Sequence, residues 1–570
     1  MNFLRAGYNI TPDALSFIKR HENPSNYARL FIKSINLNGK SSVITRDLLE
    51  KIDNALFKSL RNLKRKEKPL IQKQERKEEK IQVPTVTAST TSSANSSFPA
   101  SYDPQIKSSK PDEEPQIDKQ DSQENVEASY DGEGVKADTQ ENEIIAFEDD
   151  ESEVSYSEPT SKSTFTPNAK EFDSKIKILD DCNNNLKNEG DISDFMALFD
   201  DRFNKLKHIL QSKRNVGKIM DISDLDSISK NSQDITIVGM VISKRETRSG
   251  NTLVEIDDKT GTINVVISSR NYDAKVMIDI LEDEVLLFKG FYKNGLFIAN
   301  EFQWPDIPRR RNITLAEEDL SAVLISDLHV GSDNHLENLW NKFTNWINGN
   351  GTSEKAKKMA GKVKYVVIAG DIIDGVGVYP TQEKHLVITD VYAQLNKAAE
   401  MLQEFPDHIS FIISPGSHEP VRRALPQPCI PEKYSQSLYD LGAHMVGDPS
   451  LVEIHGIRTL IYHGEGIIDL SLDIPTISNN TPELAMEKFL KSRHLAPAFG
   501  KKAEIAPDKH DWLVINEVPD IFHTGHVHCN GVKMYKGTWL VNSGCFQGQT
   551  DFMKSLGIVP TIGKPNIINL

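Results

Sequence analysis

The spacing of apolar residues changes along this chain, and each change marks a different kind of element. In "ITPDALSFIKR", Thr11 is placed to cap a helix with Pro12 in its first position. Thr45 opens a second helical stretch in which Leu48, Leu49, Ile52, Leu56 and Leu60 recur at helical spacing. Residues 1–72 are therefore expected to form a small helical domain. From about 75 to 175 the periodicity is lost to Ser, Thr, Pro, Glu, Asp and Gln, with too few apolar residues to offset the entropy of ordering. Residues 73–188 are expected to be a disordered acidic linker, a flexible chain spanning roughly 50–60 Å. The helical period returns in "DISDFMALFDDRFNKLKHILQ", where Phe195, Leu198, Phe199, Leu206, Ile209 and Leu210 share one face suited to packing on a neighbour.

A period of two follows. "ITIVGMVISKRET", "TLVEIDD", "INVVISS", "EVLLFKGFYKNG" and "LFIANEFQW" alternate with Gly, Asn and Asp turns, which predicts a small closed barrel of the OB type within a domain at 189–308. Lys244, Arg245 and Arg248 could follow a nucleic-acid backbone there. Few aromatic residues stand on these strands, so a barrel used only for protein contacts is an equal alternative.

The remaining domain, 309–570, repeats one device: an apolar strand runs into Asp or His at its carboxyl end. "AVLISDLHVGSD" brings Asp327 and His329, "YVVIAGDIIDG" Asp371 and Asp374, and "ISFIISPGSHEP" Ser417 and His418. "RTLIYHGEG" brings His463, and "DIFHTGHVHCNG" brings His523, His526 and His528. Carboxyl ends of adjacent strands meet at one edge of a sheet, so the clusters can form a single site. Imidazole with carboxylate suits Mn, Fe, Zn or Ni, and paired ions about 3.5–4 Å apart serve phosphoester hydrolysis. One Asp-x-His after a strand is ordinarily a turn or a cap. Five such clusters in series point to a metal site.

Charge and cysteine content add limits. The net charge of -15 is uneven: residues 58–80 are rich in Lys and Arg, whereas 141–160 are densely acidic. The basic run could bind DNA or a partner, or simply be a solvated helix end. Four scattered cysteines without a CxxC pair fit a reducing compartment, and no apolar stretch reaches membrane-spanning length. A soluble cytoplasmic protein is expected.

The motifs "DLH", "GDIID", "GSHE", "HGE" and "GHVH" resemble those of calcineurin-like metallophosphoesterases, whose fold is a two-sheet sandwich flanked by helices. The resemblance implies that Asp327 and His329 bind one ion, that Asp371 bridges two, that His463 and His526 bind the second and that His528 returns to the first. It gives His418 a general-acid role at the leaving oxygen, and leaves His523 in support. The implied cofactor is a pair of divalent ions, manganese foremost, with magnesium, iron or zinc as alternatives. Module order, together with "VYPTQEKHLVITDVY", "RRALPQP" and "SGCFQGQTDFMKSLGIVPTIGKPNI", further resembles the small subunits of archaeal D-family DNA polymerases. That likeness covers nearly all of 190–570 and, more loosely, the first 70 residues.

The fold then expected is α/β: the metallophosphoesterase sandwich preceded by an OB-type barrel, a disordered tether and a helical amino-terminal module. The activity implied is a 3′-5′ proofreading exonuclease on DNA, held by a large polymerase subunit; the alternative is a non-catalytic scaffold for that subunit. The sliding clamp is a candidate partner, although "QTDFMKSL" lacks the paired aromatics of a clamp-binding box. Ser417 stands where the phosphoesterase motif has Asn, a shorter and weaker ligand that would loosen the second ion.

Overall fold

The computed structural model describes residues 9–10, 43–44, 165–227, 234–309, 311, 314–350 and 353–570. The chain divides into two units, Met1–Thr139 and Gln140–Leu570. In the first, Asn9–Ile10 pairs in parallel with Val43–Ile44. The helices expected at Thr11 and Thr45 and most of the linker lie outside the described residues.

The linker expected to reach residue 188 ends earlier. Strand β1 (Ile176–Asp181) already belongs to a sheet of the second unit. It is an edge strand joined through its backbone, so its sequence needs little apolar character, and the flanking acidic residues hide it. Helix α1 (Ile192–Gln211) follows, its start fixed by Asp194, whose Oδ2 accepts the N–H groups of Glu189 and Gly190 at 2.8 and 3.0 Å. The helix buries Leu198, Phe199, Phe203, Leu206 and Leu210, while Ile209 stays half-buried. Arg202 is buried with them and binds Asp511 at 2.7 Å.

Strands β2 (Ile235–Glu246), β3 (Thr252–Asp257), β4 (Thr262–Ile267), β5 (Val285–Lys293) and β6 (Leu296–Gln303) match the five predicted runs. Their order is β2-β3-β4-β6-β5, and pairing of β5 with β2 closes the ring. Alternation fills it: Val254 and Ile256 of β3 and Val265 and Ile267 of β4 all point inward.

Two further sheets make up the rest. One contains β7 (Ser321–Ile325), β8 (Val363–Ala369), β9 (Ser410–Ser414) and β10 (His444–Met445), all parallel, flanked by helices α2 (Glu337–Asn345), α3 (Glu354–Lys362), α4 (Val391–Gln403) and α5 (Glu432–Asp440). The other contains β11 (Ser450–Ile454), β12 (Ile457–Ile461), β13 (Ile521–Thr524), β14 (Gly531–Tyr535) and β15 (Thr538–Asn542), with β1 beside β11 and helices α6 (Gly466–Asp473) and α7 (Pro482–Ser492). After α8 (Asp551–Ser555) the chain returns, and β16 (Asn566–Asn569) pairs antiparallel with β7 in the first sheet.

Residue parity sorts the first sheet's two faces. Val323, Ile325, Val366 and Ile368 pack with Trp340, Phe343, Leu395 and Leu402 of the helices. Their neighbours Ala322, Leu324, Tyr365 and Val367 pack with Val452, Ile461, Ile521 and Val541 of the second sheet. β7 and β8 are thus buried on both faces, which explains their unbroken apolar sequence. Each such Val, Leu or Ile contributes about 1.5–3 kcal/mol on burial. Among the described residues, no helix is long and apolar enough to cross a membrane.

Candidate metal centre

Ends of five strands supply the site. Asp327 and His329 follow β7, Asp371 and Asp374 follow β8, Ser417 and His418 follow β9, His463 follows β12, and His526 and His528 follow β13. β7, β8 and β9 are parallel neighbours in one sheet, and β12 and β13 in the other, so these ends meet at one edge of both.

The backbone there is unusual. Asp327, His329, Asp371, His526 and His528 have φ of 54°, 49°, 50°, 70° and 60°, in the left-handed region that non-glycine residues rarely enter. Such conformations cost about 1–3 kcal/mol each and cluster at functional sites. Here they turn successive side chains toward one point. The motif glycines permit the crowding: a Cβ on Gly370 would lie 2.6 Å from His463 Nδ1, and one on Gly416 would lie 2.5 Å from Asp371 Oδ1.

Three groups of donors result, each with its ligand atoms within 4.8 Å of one another: Asp327, His329 and His528; Asp371, His463 and His526; and His329, Asp374 and His418. The structure brings together all the residues that the sequence singled out as ligands, with His418 beside them. His523 stays apart: it is fully buried, and its Nε2 lies 2.9 Å from Ser543 Oγ.

Hydrogen-bond partners assign the ring protons. His463 Nδ1 lies 2.8 Å from Ala369 O, and a carbonyl only accepts, so Nδ1 carries the hydrogen. Its Nε2 then faces the site, 3.2 Å from both Asp371 Oδ2 and His526 Nδ1. His329 Nδ1 donates to Asp374 Oδ1 at 3.2 Å, which turns its Nε2 toward His528 Nε2 at 3.1 Å. His528 Nε2 is in turn 3.3 Å from Asp327 Oδ1. Ring nitrogens and carboxylates therefore face one another in both groups, an arrangement that either ring protons or a bound cation can hold together.

The protonation tendencies agree. Burial pushes His463 down, but the charge of Asp371 outweighs it and holds the ring well above its ordinary range. Burial, aided by His463, pushes His526 down to about 3. The site thus calls for positive charge while keeping some rings neutral, and this donor set fits borderline divalent ions.

Asp371 lies between the groups, its Oδ2 3.9 Å from His329 Nε2 and 3.9 Å from His418 Nε2. Ser417 Oγ donates to the same oxygen at 3.2 Å. His418 Nδ1 donates to the Asp374 carbonyl at 2.6 Å, leaving Nε2 to face the site.

Supporting residues were not assigned by sequence. Glu419 accepts the N–H groups of Asp371, Ile372 and Gly416 at 3.0, 2.8 and 2.7 Å, fixing the turn after β8. Burial and the charge of Asp371 push its carboxyl up to about 7. Asp374 is held by Gln382 at 2.9 Å and Gln547 at 3.3 Å, and Asp448 accepts the His463 N–H at 2.8 Å. Glu419 and Asp374 stand inside the strand-end motifs; Gln382, Gln547 and Asp448 carry no sequence signal of their role. In the barrel, Lys244 is not free to follow a nucleic-acid backbone, because its Nζ donates to the carbonyls of Met277 and Ile278 at 2.9 and 2.6 Å.

Residues 322–531 match the family of the B subunits of DNA polymerases alpha and epsilon. The DNA polymerase II small subunit of Methanothermobacter thermautotrophicus is 40% identical over 406 residues, 71% of this chain and 82% of that protein. That of Archaeoglobus fulgidus is 39% identical over 389 residues, 68% of this chain and 78% of the other. That of Pyrococcus abyssi is 41% identical over 379 residues, 66% of this chain but only 61% of the longer relative. With two parallel strand sets delivering one cluster of Asp and His, and with this identity over most of its length, the chain belongs to the DNA polymerase II small-subunit family.

Proposed function

We propose that this chain is the metal-dependent 3′-5′ exonuclease subunit of a replicative DNA polymerase, removing mismatched primer ends as nucleoside monophosphates. The two sheets and their helices are read as a calcineurin-like sandwich over 309–570, joined by β1. The ring at 235–303 is read as an OB-type barrel within the 189–308 domain. The 1–72 helical domain and a linker ending before β1 complete the layout. The observation that carries the activity is the convergence of imidazole nitrogens, 3.1 and 3.2 Å apart, beside Asp327 and Asp371.

Asp327, His329 and His528 would hold one divalent ion and His463 and His526 another, with Asp371 between them. Such ions supply Lewis-acid charge and a water of lowered pKa. Asp374 orients His329 by accepting its Nδ1–H. Through its carbonyl the same residue fixes His418, whose Nε2 is aimed to hand a proton to the departing 3′ oxygen. Ser417, a neutral hydroxyl already donating to Asp371, adds little to ion binding. It is the one observation that favours the second reading, a scaffold that only holds the large subunit.

Manganese-dependent digestion of a 3′-mismatched primer, by the chain alone and with its large subunit, tests the proposal. Nucleotide release that disappears in Asp371→Ala supports the exonuclease. No release under either condition, with assembly intact, supports the scaffold.

A further inference from the structure

The segment 375–389, which overlaps the stretch "VYPTQEKHLVITDVY" at 378–392, has no place in the ion-binding scheme, yet it is fastened to it. Gln382 is fully buried, accepts the Val378 N–H at 2.9 Å, and donates to Asp374 O and Oδ2 at 2.7 and 2.9 Å. Gln394, also fully buried, accepts the Gly375 N–H at 2.8 Å and donates to the Gly375 and Ile388 carbonyls at 3.1 and 2.7 Å. Gly375 packs so closely that an added Cβ would collide with the His418 carbonyl. Two buried amides therefore hold an irregular loop rigidly at the mouth of the site.

What the loop presents is Tyr379. Its half-exposed ring has its centroid 6.3 Å from that of His418, tilted by 56°. Its hydroxyl has no hydrogen-bond partner among the described residues. Beside it, the exposed Arg423 places Nη2 3.4 Å from Val378 O and meets no carboxylate among the described residues. A flat aromatic face and an unpaired guanidinium, set next to the residue facing the leaving oxygen, match a nucleotide with an exposed base and a phosphate.

We propose that Tyr379 is the positioning residue on which the unpaired 3′-terminal base of single-stranded DNA stacks, with Arg423 at the adjoining phosphate. This rests on the reading of the site as a DNA exonuclease and names what selects its substrate. A paired terminal base must give up its hydrogen bonds and the stacking on its neighbour to reach the ring, a cost of a few kcal/mol that a frayed or mismatched end does not bear in full.

The test is binding, with EDTA present so that nothing is cut. The full-length chain is titrated with a labelled oligothymidylate ending in a thymine, and with the same oligonucleotide ending in an abasic residue. Wild type should bind the abasic oligonucleotide roughly 5- to 140-fold more weakly, the range expected for one base stacked on an aromatic residue. Tyr379→Ala should bind the intact oligonucleotide more weakly and lose the difference between the two; Tyr379→Phe, which keeps the ring, should restore it. Equal weakening of both oligonucleotides by Tyr379→Ala, an unchanged difference, or no binding by wild type overturns the proposal. Base-dependent binding without nucleotide release in manganese would instead keep the stacking and remove the exonuclease reading.

Discussion

Asp371 and Asp511 are both buried carboxylates beside histidine and both are held well below the ordinary range, but their positive charge comes from different groups. Around Asp511 every oxygen has a donor. Oδ2 accepts from Arg202 Nε at 2.7 Å and His494 Nε2 at 3.1 Å, and Oδ1 from Leu513 N at 3.0 Å. His494 Nδ1 accepts the Ala496 N–H at 3.0 Å, which leaves its proton on Nε2, where Asp511 needs it. Arg202 supplies a permanent charge, and the carboxyl is held well below its ordinary range despite burial. Asp371 accepts the neutral Ser417 hydroxyl and the His418 N–H, the anchored ring hydrogens of His463 and His329 point to Ala369 O and Asp374, and no Arg or Lys pairs with it among the described residues. Histidine and aspartate in a protein interior thus make a structural tie or a group of donors that could hold an ion, according to where the other ring nitrogen is anchored.

Four changes test this contrast. The largest effect is expected from Asp371→Ala, which should lower manganese-dependent nucleotide release by at least about a thousandfold. Calorimetry should show that manganese no longer raises its melting temperature as it does for wild type. Co-purification with the large subunit should persist, and its loss would mean that the cluster is mainly structural.

At the other pole, Arg202→Met should cost about 3–5 kcal/mol in denaturant unfolding by stranding Asp511, whereas adding Asp511→Leu should recover most of it. The sign with pH is defined. The depressed carboxyl of Asp511 stabilises the wild type above the unfolded value of about 4, and this is lost only as pH falls through the lower folded value. Without Arg202, burial raises that pKa, so the variant gains stability as pH falls. The gap between the two proteins should be widest near pH 7 and narrow in acid. A gap that widens in acid would contradict the assignment.

Asp374→Asn removes the anchor of His329 without removing a proposed ligand. Metal affinity by isothermal titration should fall about 10- to 100-fold. The smallest effect is expected from Ser417→Asn, a few-fold gain in activity or manganese affinity; no gain in either would show that the hydroxyl is not the weak point.

Much of this was legible in the sequence where spacing and chemistry coincide. The barrel strands announce themselves by alternation, and the ligand clusters because Asp and His interrupt apolar runs at each strand end. Asp511 gave no such signal, since its partners Arg202 and His494 lie in distant segments joined only by folding. Glu419 stands in "GSHE" yet had no role there, because a carboxylate that binds backbone N–H groups has no spacing rule. β1 was hidden for a different reason: an edge strand is specified by its neighbour's open hydrogen bonds more than by its own side chains.

That strand also governs how the barrel is attached. Because β1 pairs with β11 of the second sheet, and the chain builds the barrel before β7 starts the first, everything between residues 182 and 320 is an excursion from a fold already begun. Its return path is pinned by Arg311, which donates to the Val518 and Pro519 carbonyls at 3.0 and 2.8 Å and pairs with Asp520. A module fastened at both its entrance and its exit cannot swing like a bead on a single thread. A force applied to it is delivered at several points, among them the edge strand beside β11, the loop entering β13 and the contacts of Glu284 with Lys488 and Ser492 of α7, and so reaches the strands whose ends carry His463 and His526.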